Sequence, residues 1–175
     1  DTGIDLNHPD LEGKIIGGYD FVDNDDVSED TNGHGTEVAG IIASNGNLKG
    51  IAPNSKILAY KVSEDGESVP SSLIIKAIEK SIDDGANIIN ISLGINQTNT
   101  KIDKTVNKAI ENNIFVVTAA GNFGPELSTI GSPGINPNAI TVGATFNNIT
   151  SSLVSTFQIK GEQFNVFPMV GTQSL

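Results

Sequence analysis

Gly33-His34-Gly35-Thr36-Glu37-Val38-Ala39-Gly40 is the stretch that decides how this chain is read. It sets one of only two histidines between two glycines, at the mouth of a short apolar helical segment. Histidine titrates nearest neutral pH and is the default general base. Glycines beside it let other backbone come close to the ring. Upstream stands Asp1-Thr2-Gly3-Ile4-Asp5, and downstream an apolar strand runs into Ala119-Ala120-Gly121-Asn122. A carboxylate, an imidazole and a carboxamide, each at a glycine-bearing turn, are three of the four parts of a serine-hydrolase centre.

The bulk properties narrow the alternatives. At 175 residues the chain suits one domain, burying about 70% of its unfolded surface. No apolar run is long enough to span a membrane. No cysteine is present, so disulfides, zinc thiolates and cysteine nucleophiles are excluded. The net charge of −11 repels phosphate and argues against nucleic-acid binding. No Gly-x-Gly-x-x-Gly follows a strand, which disfavours a dinucleotide site. Asp1-Thr2-Gly3 alone also fits an aspartic protease, but no second such triplet occurs and His34 would go unexplained.

Strand and helix patterns alternate, which predicts an α/β fold with a mostly parallel sheet and helices on both faces. Lys56–Val62, Asn87–Ser92, Ile114–Ala119 and Ala139–Ala144 read as strands. Helices are expected from Pro70 through Ile82, ended by Gly85, and from Thr100 to Asn112, each with apolar residues three or four apart. Ligands of such sheets bind beyond the carboxyl ends of the strands, where Ser92-Leu93-Gly94 and Ala120-Gly121-Asn122 fall. After Asn147 the pattern turns to simple alternation, Thr156 to Ile159 and Gln163 to Val166, and predicts a β-hairpin. This places residues 1–147 in one domain and 148–175 in a β-rich tail. Asn90, Asn96 and Asn148 head Asn-x-Ser/Thr sites, with Asn90 expected in a buried strand.

These residues resemble the subtilisin-like serine proteases, the subtilases. The resemblance rests on Asp1-Thr2-Gly3-Ile4-Asp5 with His8-Pro9-Asp10-Leu11, on Gly33 to Gly40, and on Ala119-Ala120-Gly121-Asn122. Gly50-Ile51-Ala52-Pro53, Ser92-Leu93-Gly94 and Val142-Gly143-Ala144 add shorter matches in the family's order. It implies a three-layer subtilisin-like fold and peptide-bond hydrolysis in a secreted or cell-envelope setting. By this resemblance Asp1 orients His34, His34 takes the proton of a serine hydroxyl, and Asn122 donates to the oxyanion. Losing such a donor costs about 10²–10³ in turnover, a magnitude measured within this family itself. The peptide or protein substrate would lie as an extended strand between Glu67-Ser68-Val69 and Ser92-Leu93-Gly94. The specificity pocket, flanked by Gly131, is small and apolar and suits large uncharged side chains. His8, in a turn before Pro9, is expected to be structural.

Asp20-Phe21-Val22-Asp23-Asn24-Asp25 up to Glu29 closely resembles the calcium-binding segment of thermitase-like subtilases. Calcium takes six to eight oxygens from loops that mix carboxylates and carbonyls. The implied ligands are Asp20, Asp25 and Glu29, with Asp23 and the Val27 carbonyl as further candidates. A second family site at Asp10 is disfavoured, because the loop Ser44 to Leu48 is short.

The family's nucleophile segment, Gly-Thr-Ser-Met-Ala at the head of a helix, does not occur in these residues. Gly171-Thr172-Gln173-Ser174 only echoes it. The chain therefore reads as a piece of a larger protease, with Ile149 to Leu175 resembling the start of a protease-associated insertion. It is expected to be inactive alone. The alternative is a non-catalytic pseudoprotease scaffold that binds peptide or calcium.

Overall fold

The computed structural model describes residues 1–67 and 69–144, and the backbone of two further strands, Ser155–Ile159 and Glu162–Val166. The chain divides into two units, Asp1–Gly143 and Ala144–Leu175.

The first unit carries two parallel sheets. Strand β1 (Ile15–Asp20) pairs with β2 (Ile57–Lys61), so that Asp20 stands opposite Lys61. Strands β3 (Ile88–Ile91), β4 (Phe115–Ala119) and β5 (Ile140–Val142) form the second sheet in that order. Nothing in Ile15-Ile16-Gly17-Gly18 announces a strand. Pairing with β2 supplies what local propensity lacks, and Ile16 is left exposed where the register slips.

Helix α1 (His34–Ala43) follows the histidine motif, and α2 (Ser71–Asp83) and α3 (Thr100–Glu111) connect the strands. Each of the last two buries the stripe that its sequence announces. In α3, Ile102, Thr105, Val106 and Ala109 recur at three- and four-residue spacing and face inward. The Asn99 side chain accepts from the N–H groups of Lys101 and Ile102, satisfying two otherwise orphaned donors. Ile74 and Ile78 of α2 meet Ile102, Val106 and Ala109 of α3 over Ile89, Ile91 and Val116 of the sheet. A smaller core joins Ile4, Leu11, Ala39 and Ala59.

This packing covers one face of the β3–β4–β5 sheet. On the other, Ile88, Phe115, Ile140 and Val142 are each more than half exposed. Asn90 is on that open side and exposed, which corrects the expectation that it is buried. Alternate residues of a strand point to opposite faces, and only the face of Ile89 and Ile91 is covered. In the second unit, β6 (Ser155–Ile159) and β7 (Glu162–Val166) form an antiparallel pair with Phe157 opposite Phe164.

Candidate active site

Asp1 reaches the site by lying alongside the end of β2. Its backbone N donates to the Tyr60 carbonyl (3.1 Å), and Val62 N donates to the Asp1 carbonyl (2.9 Å). This pins Asp1 beside the carboxyl end of β2. Ile4 is bridged to Glu29 in parallel fashion, which holds the other end of the segment. His34 is the first residue of α1.

The two side chains meet. His34 Nδ1 lies 2.7 Å from Asp1 Oδ1, across 33 positions of sequence. Asp1 Oδ1 also accepts from Thr2 N (2.8 Å). Asp1 Oδ2 is buried and accepts from no donor among the described residues. The imidazole is about half exposed (49%), so its far edge faces solvent.

The glycines flanking His34 act for different reasons. A Cβ on Gly35 would sit 2.0 Å from the Gly3 carbonyl oxygen and 3.0 Å from Asp1 Oδ1, so Gly35 permits the close approach. Gly33 has open space around it, but its φ of +108° is a conformation that side chains resist. Gly33 also brings no side chain to cap α1. The cap is assembled from elsewhere. Asn32 Oδ1 accepts from His34 N (3.2 Å), Thr2 Oγ1 from Gly35 N (2.9 Å) and Asp30 Oδ2 from Thr36 N (2.9 Å). Asp30 is the residue that motif reading misses. Burial pushes its carboxyl up, but bonds from the Gly33 N–H, the Thr36 hydroxyl and N–H and the Thr2 hydroxyl prevail and hold it below the ordinary range.

The other expected residues lie at strand ends. Asn122 stands just past β4, exposed, between Gly121 and the partly exposed Phe123. Ser92 follows β3 and its hydroxyl accepts from Asn90 Nδ2 (2.8 Å). Leu93 packs on the main core and Gly94 is exposed. Gly131 lies where two backbones cross: Ile95 N donates to Ser132 O (2.9 Å) and Ser132 N to Gln97 O (3.0 Å). Glu67 is exposed in a bend whose N–H is held by Asp65 Oδ1 (2.9 Å), and Val69 packs on the core. Ser68 lies outside the described residues, as does Ser174. His8 caps a short 3-10 turn, its Nδ1 accepting from Asp10 N (3.2 Å), which is the structural role expected of it.

The calcium segment is not assembled as the resemblance implies. Among the described residues, no three acidic or histidine side chains gather closely enough to hold a metal. Asp20 Oδ1 accepts from Val22 N and Asp23 N (2.7 and 3.0 Å), and Asp25 Oδ1 from Val27 N (2.8 Å). Asp23, Val27 and Glu29 are exposed. Lys61 Nζ lies 3.9 Å from Asp20 Oδ2 and donates to the Glu29 carbonyl (3.0 Å), so an ammonium occupies the space between them. The donors as placed do not fit a calcium ion. Asp10 is likewise engaged, accepting from Asn47 N and Leu48 N (3.0 and 3.1 Å).

The comparisons with known proteins agree with the motif reading. The Subtilase family model matches residues 1–168. Minor extracellular protease Vpr of Bacillus subtilis (strain 168) is 43% identical over 159 residues, covering 83% of this chain and 20% of that protein. Thermitase of Thermoactinomyces vulgaris is 40% identical over 161 residues, covering 90% of this chain and 57% of that protein. A cold-adapted subtilisin-like serine proteinase superposes with a TM-score of 0.75 at 36% identity, over 83% of this chain and 53% of that one. The chain thus spans between 20% and 57% of the length of these relatives. With the motifs in order, the fold matched and the carboxylate–imidazole pair formed at strand and helix ends, the chain belongs to the subtilase family, the subtilisin-like serine proteases.

Proposed function

We propose that this chain carries the acid–base half of a serine endopeptidase. The carrying observation is the 2.7 Å contact between Asp1 Oδ1 and His34 Nδ1. A carboxylate there fixes which ring nitrogen holds the proton and stabilises the imidazolium that forms in the reaction. The exposed Nε2 edge of His34 is then free to take the proton of a serine hydroxyl and return it to the leaving amine. Asn122, exposed beyond β4, supplies a neutral donor to the tetrahedral oxyanion. The nucleophile belongs to a Gly-Thr-Ser segment of the whole protease. Substrate lies between Glu67-Ser68-Val69 and Ser92-Leu93-Gly94, with a large uncharged side chain directed toward Gly131. Secretion is part of this reading, supported by the extracellular relative, although an intracellular serine protease of Paenibacillus polymyxa is 39% identical over 154 residues. Calcium enters only if loop 20–29 rearranges. Thermal melts with and without a chelator decide that point, and an unchanged midpoint removes calcium from the reading.

The test uses the whole protease. His34→Ala and Asp1→Asn are expected to lower kcat by about 10⁶ and 10⁴, magnitudes measured in this family and its functional analogues, with KM little changed. Activity close to that of the unaltered enzyme in either variant overturns the assignment. The 175-residue chain alone is expected to resist labelling by a fluorophosphonate probe. Labelling would show that it holds its own nucleophile. The alternative, a peptide-binding scaffold without catalysis, predicts that the whole protein resists the probe as well.

A further inference from the structure

We infer that Asp30 is a positioning residue that sets the Asp1–His34 geometry by tying both carriers to one carboxylate; this rests on the reading of that pair as the acid–base centre. Its oxygens accept five hydrogen bonds. Oδ1 takes Thr2 Oγ1 (2.9 Å), Asn32 N (3.0 Å) and Gly33 N (2.9 Å). Oδ2 takes Thr36 N (2.9 Å) and Thr36 Oγ1 (2.6 Å). Thr2 is the neighbour of Asp1, while Gly33 and Thr36 flank His34. One side chain therefore grips the segment that carries the acid and both sides of the residue that carries the base.

The two hydroxyls extend this grip with fixed polarity. Each has one proton: Thr36 gives it to Asp30, and Thr2 gives it to Asp30 at 2.9 Å in preference to Asp1 Oδ1 at 3.5 Å. Thr2 Oγ1 then accepts from Gly35 N (2.9 Å), and Thr36 Oγ1 accepts from Asp5 N (2.8 Å). The acid segment and the first turn of α1 are thus stitched together twice, through Thr2 and through Thr36. Only an acceptor on both oxygens satisfies this arrangement. A carboxamide would turn one of its faces into a donor pointing at donors. Asp30 does not touch His34, so its effect passes through backbone placement. A carboxylate displaced from the imidazole by about 1 Å no longer meets hydrogen-bond geometry.

The readout is the Nδ1–H proton of His34, followed by NMR in the 175-residue chain. In the unaltered chain it should be shifted strongly downfield and exchange slowly with solvent. Asp30→Ala should raise that exchange rate by at least about tenfold, as expected for loss of charge-assisted hydrogen bonds. Asp30→Asn should fall between the two, because one acceptor remains. Thr2→Val, nearly the same shape without the hydroxyl, should act in the same direction while leaving the Asp30 charge in place. Amide signals of Ile74 and Val106, in the distant core, report whether each variant is folded. If Asp30→Ala unfolds the chain, Thr2→Val decides. A downfield proton unchanged in folded Asp30→Ala and Thr2→Val overturns the role of Asp30 alone. Its absence from the unaltered chain overturns the Asp1–His34 pairing, and the positioning role with it.

Discussion

Asp20 and Lys61 stand opposite one another at the ends of β1 and β2, both buried, with the lysine ammonium 3.9 Å from Asp20 Oδ2. The ammonium also meets Glu64 Oε2 at 2.6 Å. The buried Asp20 carboxylate is therefore countered by a lysine of the neighbouring strand, which it shares with Glu64. Replacing Lys61 by Met would strand a buried carboxylate. It is expected to cost about 3 kcal/mol, measured by urea unfolding. A loss under about 1 kcal/mol would mean that water or another cation takes over the role.

The depressed Asp30 carboxyl makes a statement about pH. A group whose folded value lies below its unfolded value adds stability above the unfolded value, and loses it as pH falls through the folded one. Melting midpoints should therefore drop as pH falls below about 4. The drop should be shallower in Asp30→Asn than in the unaltered chain. Parallel curves would remove Asp30 from acid unfolding.

Gly33 and Gly35 should respond differently to alanine. At Gly35 the new Cβ would meet the Gly3 carbonyl at 2.0 Å, so backbone must move, at a cost of about 3 kcal/mol and with loss of the Asp1–His34 contact. At Gly33 there is room, and only the φ of +108° resists, for roughly 1–2 kcal/mol. Denaturant midpoints rank the two, and Gly33→Ala as the worse variant would contradict the crowding at Gly35.

The one-sided cover of the second sheet can be tested by contrast. Ile102 is fully buried, so Ile102→Ala should cost roughly 3–4 kcal/mol. Phe115 is 67% exposed on the open face, and Phe115→Ser should change stability by no more than about 0.5 kcal/mol. The serine should also reduce light scattering at high concentration, because the apolar patch shrinks. A large destabilisation by Phe115→Ser would mean that this face is covered in solution.

Sequence alone determined most of the elements, β1 excepted, and the chemistry available to them. Helix α3 is visible because Ile102, Val106 and Ala109 repeat with the helical period. Asp1, His34 and Asn122 stand out because short glycine-bearing motifs keep their residue types together along the chain. What separates the carboxylates from Asp20 to Asp30 is not written locally. In one dimension Asp20, Asp23, Asp25, Asp26, Glu29 and Asp30 are six similar acids. Folding buries Asp20 against Lys61, leaves Asp23, Asp25, Asp26 and Glu29 exposed, and surrounds Asp30 with five donors from three places in the chain. A carboxylate's role depends on which donors come within about 3 Å of it. For Asp30 one of those donors, Thr2, lies 28 positions away, and only the tertiary structure brings it there.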